Sequence, residues 1–222
     1  MLDLDHVVVA ANQLADGVAW CEATLGITPG PGGEHAFMGT HNRLFSISSP
    51  RFERAYFEII AVNPDAPPPG RARWFGLDHP ALQAALRRGP RLIHWVARCD
   101  DIRAVGLEMR GLGIDGGQVL PAERATPRGV LRWQIGVRDD GRRLFDGALP
   151  TLIQWGDVHP ADAMPASGVS LQQAALAGLP AAVARMMPAS VQTEPAAAAA
   201  PIRLTLNTPR GPVVLSSLRI KA

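Results

Sequence analysis

The sequence predicts an α+β fold made of two β-α-β-β-β modules and a partial third module. Three observations lead to this prediction. Two short strand-like runs each carry a central histidine, an amphipathic helix follows each of them, and a proline-rich break separates the two series of elements. The two modules are placed at residues 1–62 and 91–158, with a linker at 63–90 and the partial module at 159–222.

A valine-rich run opens the first module at residues 4–9. Such a run is typical of a buried strand. Because side chains alternate between faces along a strand, His6 is expected to share a face with Leu4 and Val8, and Asp5 to lie on the opposite face. Taken alone, a histidine at this position is either a packed core residue or a metal ligand.

A helix and three strands complete the first module. The helix is expected after Asn12, a good N-cap, and before Gly26, because glycine suits the left-handed position that ends a helix. The three strands are predicted at 34–38, 43–48 and 54–61. A turn at 39–42 joins the first two of them, and the last carries Glu58 in its middle.

The linker and the second module follow. A proline-rich stretch at 63–70 cannot hold a strand ladder, because proline lacks the N–H donor, and a short helix is expected near 80–87. A strand at 91–97 then carries His94, and Asp100 or Asp101 caps the next helix. Three more strands are predicted at 117–121, 130–137 and 149–155.

The two modules also match in sequence. The pattern Leu-x-His-x-Val occurs around both His6 and His94, and the closing strands align Glu58 with Gln154. An internal repeat of this kind would bring the four residues together by pseudo-symmetry.

The tail resembles a third copy that has lost its polar residues. Strands are predicted there at 169–174, 191–193, 202–207 and 212–216. Gln172 stands where a histidine would be, and the last strand has no carboxylate. We expect a structural role for this part, such as covering a sheet edge or an interface.

Composition and charge narrow the class of protein. Of 222 residues, 47% are hydrophobic and 19% charged, with a net charge of +2, which is ordinary for a soluble globular protein. The sequence shows no basic face with interleaved aromatic residues, so nucleic-acid binding is not predicted. No apolar run approaches the roughly 20 residues that span a bilayer. Cys21 and Cys99 are expected to be buried free thiols, which favours the cytoplasm.

Four polar residues lie in the interior of predicted strands, namely His6, Glu58, His94 and Gln154. A buried carboxylate without a partner is costly, so Glu58 needs a cation or a donor beside it. Two imidazoles, a carboxylate and an amide oxygen form a donor set for Zn²⁺, Fe²⁺, Mn²⁺, Ni²⁺ or Co²⁺. An arginine or histidine partner for Glu58 is the alternative to a metal.

These features resemble the glyoxalase-like domain family of the vicinal oxygen chelate superfamily, which includes glyoxalase I, extradiol dioxygenases and bleomycin-binding proteins. The resemblance is carried by LDHVV at 4–8, GTHNRL at 39–44, YFEII at 56–60 and WFGL at 74–77. It implies paired modules in a curved mixed β-sheet around a divalent metal, and a substrate that chelates the metal through two adjacent oxygens. It puts His6, Glu58 and His94 at ligand positions, and Gln154 where a glutamate is commoner. The proton transfer of glyoxalases uses a carboxylate at the metal, and Gln154 cannot act as a general base, so the resemblance implies Glu58 as the catalytic residue.

Six further residues are predicted to bind substrate, namely His35, His41, Asn42, Tyr56, Trp95 and Trp155. The first three lie on or between the inner strands of the first module, and closing the hairpin is their alternative role. Tyr56 shares a face with Glu58, and the tryptophans are either pocket walls or core. His159 is expected to be exposed in a loop.

Two functions stay open at this point, besides a purely structural or regulatory role of the fold. One is a divalent-metal-dependent lyase, isomerase or dioxygenase that acts on a small molecule with vicinal oxygens. The other is a metal-free protein of the same fold that binds and sequesters a small molecule, as bleomycin-resistance proteins do. The resemblance also suggests a homodimer, unless the partial third module replaces the partner. Neither nucleic acid nor a membrane is an expected partner.

Overall fold

The computed structural model describes residues 2–126 and 129–219. Within these ranges the strands are β1 Leu2–Ala10, β2 Glu34–His35, β3 Thr40–Ser46, β4 Tyr56–Val62, β5 Arg91–Cys99, β6 Gln118–Thr126, β7 Gly129–Val137, β8 Thr151–Trp155, β9 Ser170–Ala177, β10 Gln192–Glu194, β11 Ile202–Thr208 and β12 Gly211–Ser216. The α-helices are α1 Leu14–Leu25, α2 Pro80–Leu86, α3 Ile102–Gly111 and α4 Ala181–Ala184.

The main sheet has eight strands in the order β2-β3-β4-β1-β5-β8-β7-β6. Its centre is the antiparallel pair β1 and β5, and each of these strands has a parallel neighbour on its other side, β4 and β8 respectively. The strand order is therefore the same on both sides of the central pair. This mixed sheet with few helices confirms the predicted α+β fold, whereas the module boundaries stay predictions.

A β-bulge in β1 changes which face its first residues use. Leu4 and His6 pair with adjacent residues of β5, so Asp5 is an extra residue in the ladder. Leu4 consequently packs in the same apolar cluster as Val7, while Asp5 and His6 both contact groups on the other side of the sheet. The expected placement of Asp5 opposite His6 was wrong, because simple alternation assumes a ladder without a bulge.

The first hairpin also turns earlier than expected. β2 ends at His35, and a single 3-10 turn over Ala36–Met38 leads to Gly39, whose φ of 58° is in the left-handed region that glycine favours. The residues predicted to form the turn, from Thr40 to Asn42, therefore belong to β3. A smaller correction is that Gln13, not Asn12, is the N-cap of α1.

The two faces of the main sheet carry different apolar clusters. The outer face packs against α1, α3 and a second sheet with the order β10-β9-β11-β12. The tail therefore covers a face of the main sheet, and its Leu171 N–H donates to the Ile47 carbonyl at 2.9 Å. The inner face packs against the linker, through the 3-10 turn Trp74–Gly76 and α2.

Two further expectations can be compared with the structure. Cys21 and Cys99 are free and buried, as predicted. Within residues 2–126 and 129–219, no helix is long and apolar enough to cross a membrane.

Candidate functional site

A small cavity of about 40 Å³ lies on the inner face of the main sheet. Its wall residues come from both halves of the sheet, the linker and the segment after β8: His6, His35, Asn42, Leu44, Tyr56, Glu58, Trp74, Phe75, Arg124, Trp133, Ile135, Ile153, Trp155 and Pro160. A volume of this size holds roughly three water molecules. The cavity therefore suits the reacting end of a small molecule.

Glu58 on β4 is buried in this wall and is held by Asn42 on β3. The Asn42 side-chain amide donates to Glu58 Oε1 at 2.6 Å and lies 3.4 Å from His35 Nε2. Asn42 Oδ1 accepts from the Gly33 N–H at 2.9 Å, which fixes the orientation of the amide group. His35 Nε2 thus faces a donor, so the ring hydrogen is on Nδ1 and is donated to Thr40 Oγ1 at 3.1 Å.

His35 has the charge state that this network requires. Burial is the main cause that lowers the pKa of His35 to about 3, and the positive charges of Arg124 and His6 act in the same direction. The ring therefore stays neutral near pH 7 and acts as a fixed acceptor for Asn42.

His6 on β1 lies between two carboxylates. Its Nδ1 donates to Asp5 Oδ1 at 2.6 Å, and its Nε2 lies 3.7 Å from Glu58 Oε2. The ring stacks on Tyr56, with the centroids 4.5 Å apart. Because Nδ1 carries a hydrogen, Nε2 is the atom that can exchange a proton with Glu58 or with a molecule in the cavity.

Asp5 is completely buried, and two histidines and a tryptophan donate hydrogen bonds to it. Besides His6, these are Trp155 Nε1 at 2.9 Å and His159 Nε2 at 2.8 Å, both on Asp5 Oδ2. Burial acts to raise the pKa of Asp5, but the hydrogen bonds from His159 and His6 outweigh it and hold the pKa well below its usual range. Asp5 is therefore a permanent carboxylate that orients the His6 ring.

His159 differs most from its expected place. It is 3% exposed, and its Nδ1 accepts from the Ala161 N–H at 3.1 Å, which leaves Nε2–H to donate to Asp5. The expectation of an exposed loop histidine was wrong, because a contact 154 residues away in sequence decides its burial.

His94 lies outside this cluster. Its Nε2 accepts from the Thr151 N–H at 3.2 Å and is 3.0 Å from Thr151 Oγ1. The ring packs 5.0 Å from Phe75, whose side chain also lines the cavity. Burial first, and then the charge of Arg143, lower the pKa of His94 to about 3, so it is a neutral packed histidine.

Gln154 points to the other face of the sheet. Its Oε1 accepts from the Ile102 N–H at 3.0 Å, at the N-terminal end of α3. The amide oxygen predicted as a fourth metal ligand therefore satisfies a helix terminus instead.

Strand register explains this outcome. Glu58 pairs with the residue two positions after His6, and Thr151 pairs with the residue two positions after His94. The sequence match between Glu58 and Gln154 was therefore off by three residues. An odd shift moves a side chain to the opposite face of a strand.

The residues present do not fit the divalent metal that the resemblance implies. Of the four predicted ligands, His6 and Glu58 line the cavity, whereas His94 and Gln154 are engaged elsewhere. In the part of the chain that the structure describes, no group of three or more His, Cys, Asp or Glu side chains is arranged to hold a metal ion.

The six predicted substrate-binding residues divide into two groups. Four line the cavity: His35, Asn42, Tyr56 and Trp155. His41 alternates with Asn42 on β3 and so points to the opposite face. Trp95 is buried in the outer cluster, and its indole N–H donates to the Ala148 carbonyl at 2.9 Å. Neither side chain lines the cavity.

Comparison with known proteins identifies the family of the chain. The chain matches the family model for the glyoxalase-like domain over residues 4–192. A hypothetical protein from Staphylococcus aureus has 15% sequence identity and a TM-score of 0.59, over 99% of this chain and 88% of that chain, which supports the curved mixed-sheet fold. None of the curated proteins matches the chain.

Methylmalonyl-CoA epimerases are also among the similar structures. The enzyme from Streptomyces coelicolor, in complex with 2-nitronate-propionyl-CoA, has 19% identity and a TM-score of 0.44, over 72% of this chain and 99% of that chain. The enzyme from Mycobacterium tuberculosis has 18% identity and a TM-score of 0.39, over 69% and 86%. Since the family model matches residues 4–192, which is most of the chain, the chain belongs to the glyoxalase-like domain family.

Proposed function

We propose that this protein is an isomerase or lyase that moves a proton on a small molecule with adjacent oxygens, with Glu58 as its general base. One observation carries the proposal: Glu58 Oε2 and His6 Nε2 lie 3.7 Å apart at the wall of a cavity. A hydrogen bond also fixes the position of each group, from Asn42 to Glu58 and from His6 to Asp5.

The pair is suited to acid–base chemistry. A carboxylate oxygen and an imidazole nitrogen this close attract each other only when one of them carries a proton. With the proton on His6 Nε2, Glu58 is a carboxylate whose Oε1 is held by Asn42 and whose Oε2 is free to accept. One group is then ready as a base and the other as an acid.

The proton transfer balances with these two groups. Glu58 takes a proton from a carbon next to a carbonyl, the electron pair of the C–H bond forms the C=C bond of an enol, and the π pair of the carbonyl moves to its oxygen. His6 gives its Nε2 proton to that oxygen. When the carbon also carries a hydroxyl group, the product is an enediol; His6 then takes the proton of that hydroxyl, and Glu58 returns its proton to the neighbouring carbon, which completes the isomerisation. Proton loss followed by departure of a neighbouring group would be the lyase variant.

Tyr56 supports the acid–base pair from the same wall of the cavity. Burial is the main cause that raises the pKa of Tyr56 well above its ordinary value, and the carboxylates of Asp5 and Glu58 and a hydrogen bond to Asp5 add to it. The phenol thus keeps its proton. It lines the cavity, stacks on His6 and interacts with Asp5, so it helps to hold the His6 ring in place.

The test is hydrogen–deuterium exchange in D₂O, followed by proton NMR, with pyruvate, 2-oxobutyrate, hydroxyacetone and dihydroxyacetone as probes. We expect the protein to accelerate exchange of at least one probe, and Glu58→Gln to lower that rate about 10²–10⁴-fold. Glu53→Gln is the matched control, because Glu53 is exposed and does not line the cavity.

Each reaction is run with a chelator and with added Ni²⁺, Zn²⁺ or Mn²⁺. Exchange that does not depend on Glu58, or that requires an added metal, would overturn this proposal. Saturable probe binding without any exchange would also overturn it, and would support the sequestration function instead.

A further inference from the structure

The cavity contains a cation that the proposed proton transfer does not use. Arg124 on β6 lines the cavity together with His6 and Glu58. Among residues 2–126 and 129–219, no side chain forms an ion pair with its guanidinium and no group accepts a hydrogen bond from it. Arg132 on the partner strand differs, because its guanidinium is 3.2 Å from the Glu123 carboxylate.

Arg124 is brought to the cavity by the hairpin β6–β7. A Cβ atom built on Gly33 would lie 2.6 Å from Arg124 Cδ, so the arginine packs directly on the loop that holds Asn42. Its charge also reaches the cluster, since it adds to burial in lowering the pKa of His35. The second half of the sheet thus supplies a positive charge to the acid–base residues of the first half.

A second donor on the same wall lacks an acceptor. Trp74 is 6% exposed and lines the cavity, and its Nε1 has no hydrogen-bond partner in the part of the chain that is described. An indole N–H can only donate, and buried donors are almost always paired in folded proteins. An acceptor oxygen from a bound molecule would satisfy it.

We propose that the substrate carries a carboxylate, and that Arg124 and the Trp74 N–H bind it. The planar guanidinium matches a carboxylate in shape and charge, and it binds both oxygens at once. This inference rests on the proposed function, because a carboxylate bound in this way would orient the carbon that loses its proton toward Glu58. The substrate class is therefore a small 2-oxo or 2-hydroxy acid, or a related carbon acid.

Matched probes test the charge requirement. Pyruvate and its neutral amide, pyruvamide, have nearly the same shape, and titration of each is followed by tryptophan fluorescence. The indole N–H signals in a ¹H–¹⁵N spectrum provide a second readout, and Trp74→Phe identifies the signal of Trp74. We expect pyruvate to bind at least tenfold more tightly than pyruvamide and to shift the Trp74 signal.

Variants then test whether Arg124 supplies the positive charge that binds the carboxylate. Arg124→Met should weaken pyruvate binding at least tenfold and abolish the preference over pyruvamide, whereas Arg132→Met should change neither. Gly33→Ala keeps the charge but forces Arg124 to move, so it should weaken pyruvate binding in the same direction. It also provides a test if Arg124→Met folds poorly.

The outcomes separate the two proposals. Unchanged pyruvate affinity in Arg124→Met, or tighter binding of inorganic phosphate than of pyruvate, would overturn the carboxylate inference while leaving Glu58-dependent exchange intact. Exchange that survives Glu58→Gln would overturn the proposed function, even if Arg124 still binds pyruvate. If Glu58→Gln preserves pyruvate binding and Arg124→Met removes it, the result supports Glu58 as the base and Arg124 as the residue that binds the carboxylate.

Discussion

Replacing Asp5 with asparagine removes the negative charge that accepts hydrogen bonds from His6, Trp155 and His159. The change keeps the shape of the side chain, so it leaves no cavity. Asp5 Oδ1 accepts from His6, and Asp5 Oδ2 accepts from both Trp155 and His159. Because one oxygen becomes an NH₂ group, at least one of these donors loses its acceptor.

The size of the effect follows from these contacts. A hydrogen bond to a charged group contributes about 1.5–3 kcal/mol, and a buried donor left unpaired costs about 1–3 kcal/mol. In the least costly orientation the amide oxygen stays with Trp155 and His159, and the contact with His6 is lost. We therefore expect Asp5→Asn to lower the free energy of unfolding by about 3 kcal/mol. That corresponds to roughly 6–12 °C in Tm for a chain of this size.

The assay is urea unfolding followed by tryptophan fluorescence at pH 7. Asp3→Asn is the matched control, because Asp3 is on the same strand with a side chain that is 49% exposed and 3.5 Å from Arg98. Its effect should stay below about 0.5 kcal/mol. A loss in Asp5→Asn no larger than in the control would refute the role given to Asp5.

The difference in the free energy of unfolding between the wild type and Asp5→Asn should depend on pH in one direction. The pKa of Asp5 is lowered in the folded state, so its ionisation stabilises the fold fully above the ordinary value of 3.8. That contribution is lost as the pH falls below this value. The gap between the wild type and Asp5→Asn should therefore be constant from pH 5 to pH 8 and should shrink in stronger acid.

Two further predictions concern the buried neutral histidines and a crowded glycine. His35 and His94 have pKa values lowered from 6.5 to about 3, so each should cost about 1.4 kcal/mol of stability per pH unit as the pH falls below 6.5. Urea unfolding between pH 7 and pH 5 measures this slope, and His94→Gln should halve it. A Cβ on Gly32 would lie 2.0 Å from the main-chain oxygen of Asn42, so Gly32→Ala should cost about 1–3 kcal/mol and slow exchange. Gly116→Ala, which meets nothing within 4 Å, is its control, and equal melting temperatures would contradict the prediction.

Local patterns were sufficient to predict most of the fold. A valine-rich run, a glycine with φ of 77° at the end of α1 and the Asp101 N-cap of α3 act within a few residues, so the sequence shows them directly. Glu58 and Asn42 could be found as polar side chains within or beside apolar strands. What local pattern cannot supply is the partner of each residue.

The missed residues all depend on long-range pairing. Asp5 faces His6 because of a bulge that forms against β5, and His159 is buried by a contact with Asp5. Gln154 was misplaced because a sequence repeat does not determine which residues pair across strands. Arg124 gave no sequence signal at all, since its importance comes from the hairpin that brings it to Gly33.

The two halves of the sheet have matching positions but different chemistry. β1 has its bulge at Asp5, directly before His6, and β5 has its bulge at Ile93, directly before His94. The position of Glu58 is likewise taken by Thr151. Both carboxylates of the first half are therefore absent from the matching positions of the second half, and a histidine without them is a neutral packed residue.

This difference explains why the four predicted ligands do not come together. A metal held between two equal halves would need donors from both, whereas here His6, Glu58 and the Asp5 carboxylate all come from the first half. The second half provides the apolar wall of Trp133, Ile135 and Ile153, together with the charge of Arg124. One half is thus equipped to move a proton, and the other to hold and orient the molecule that loses it.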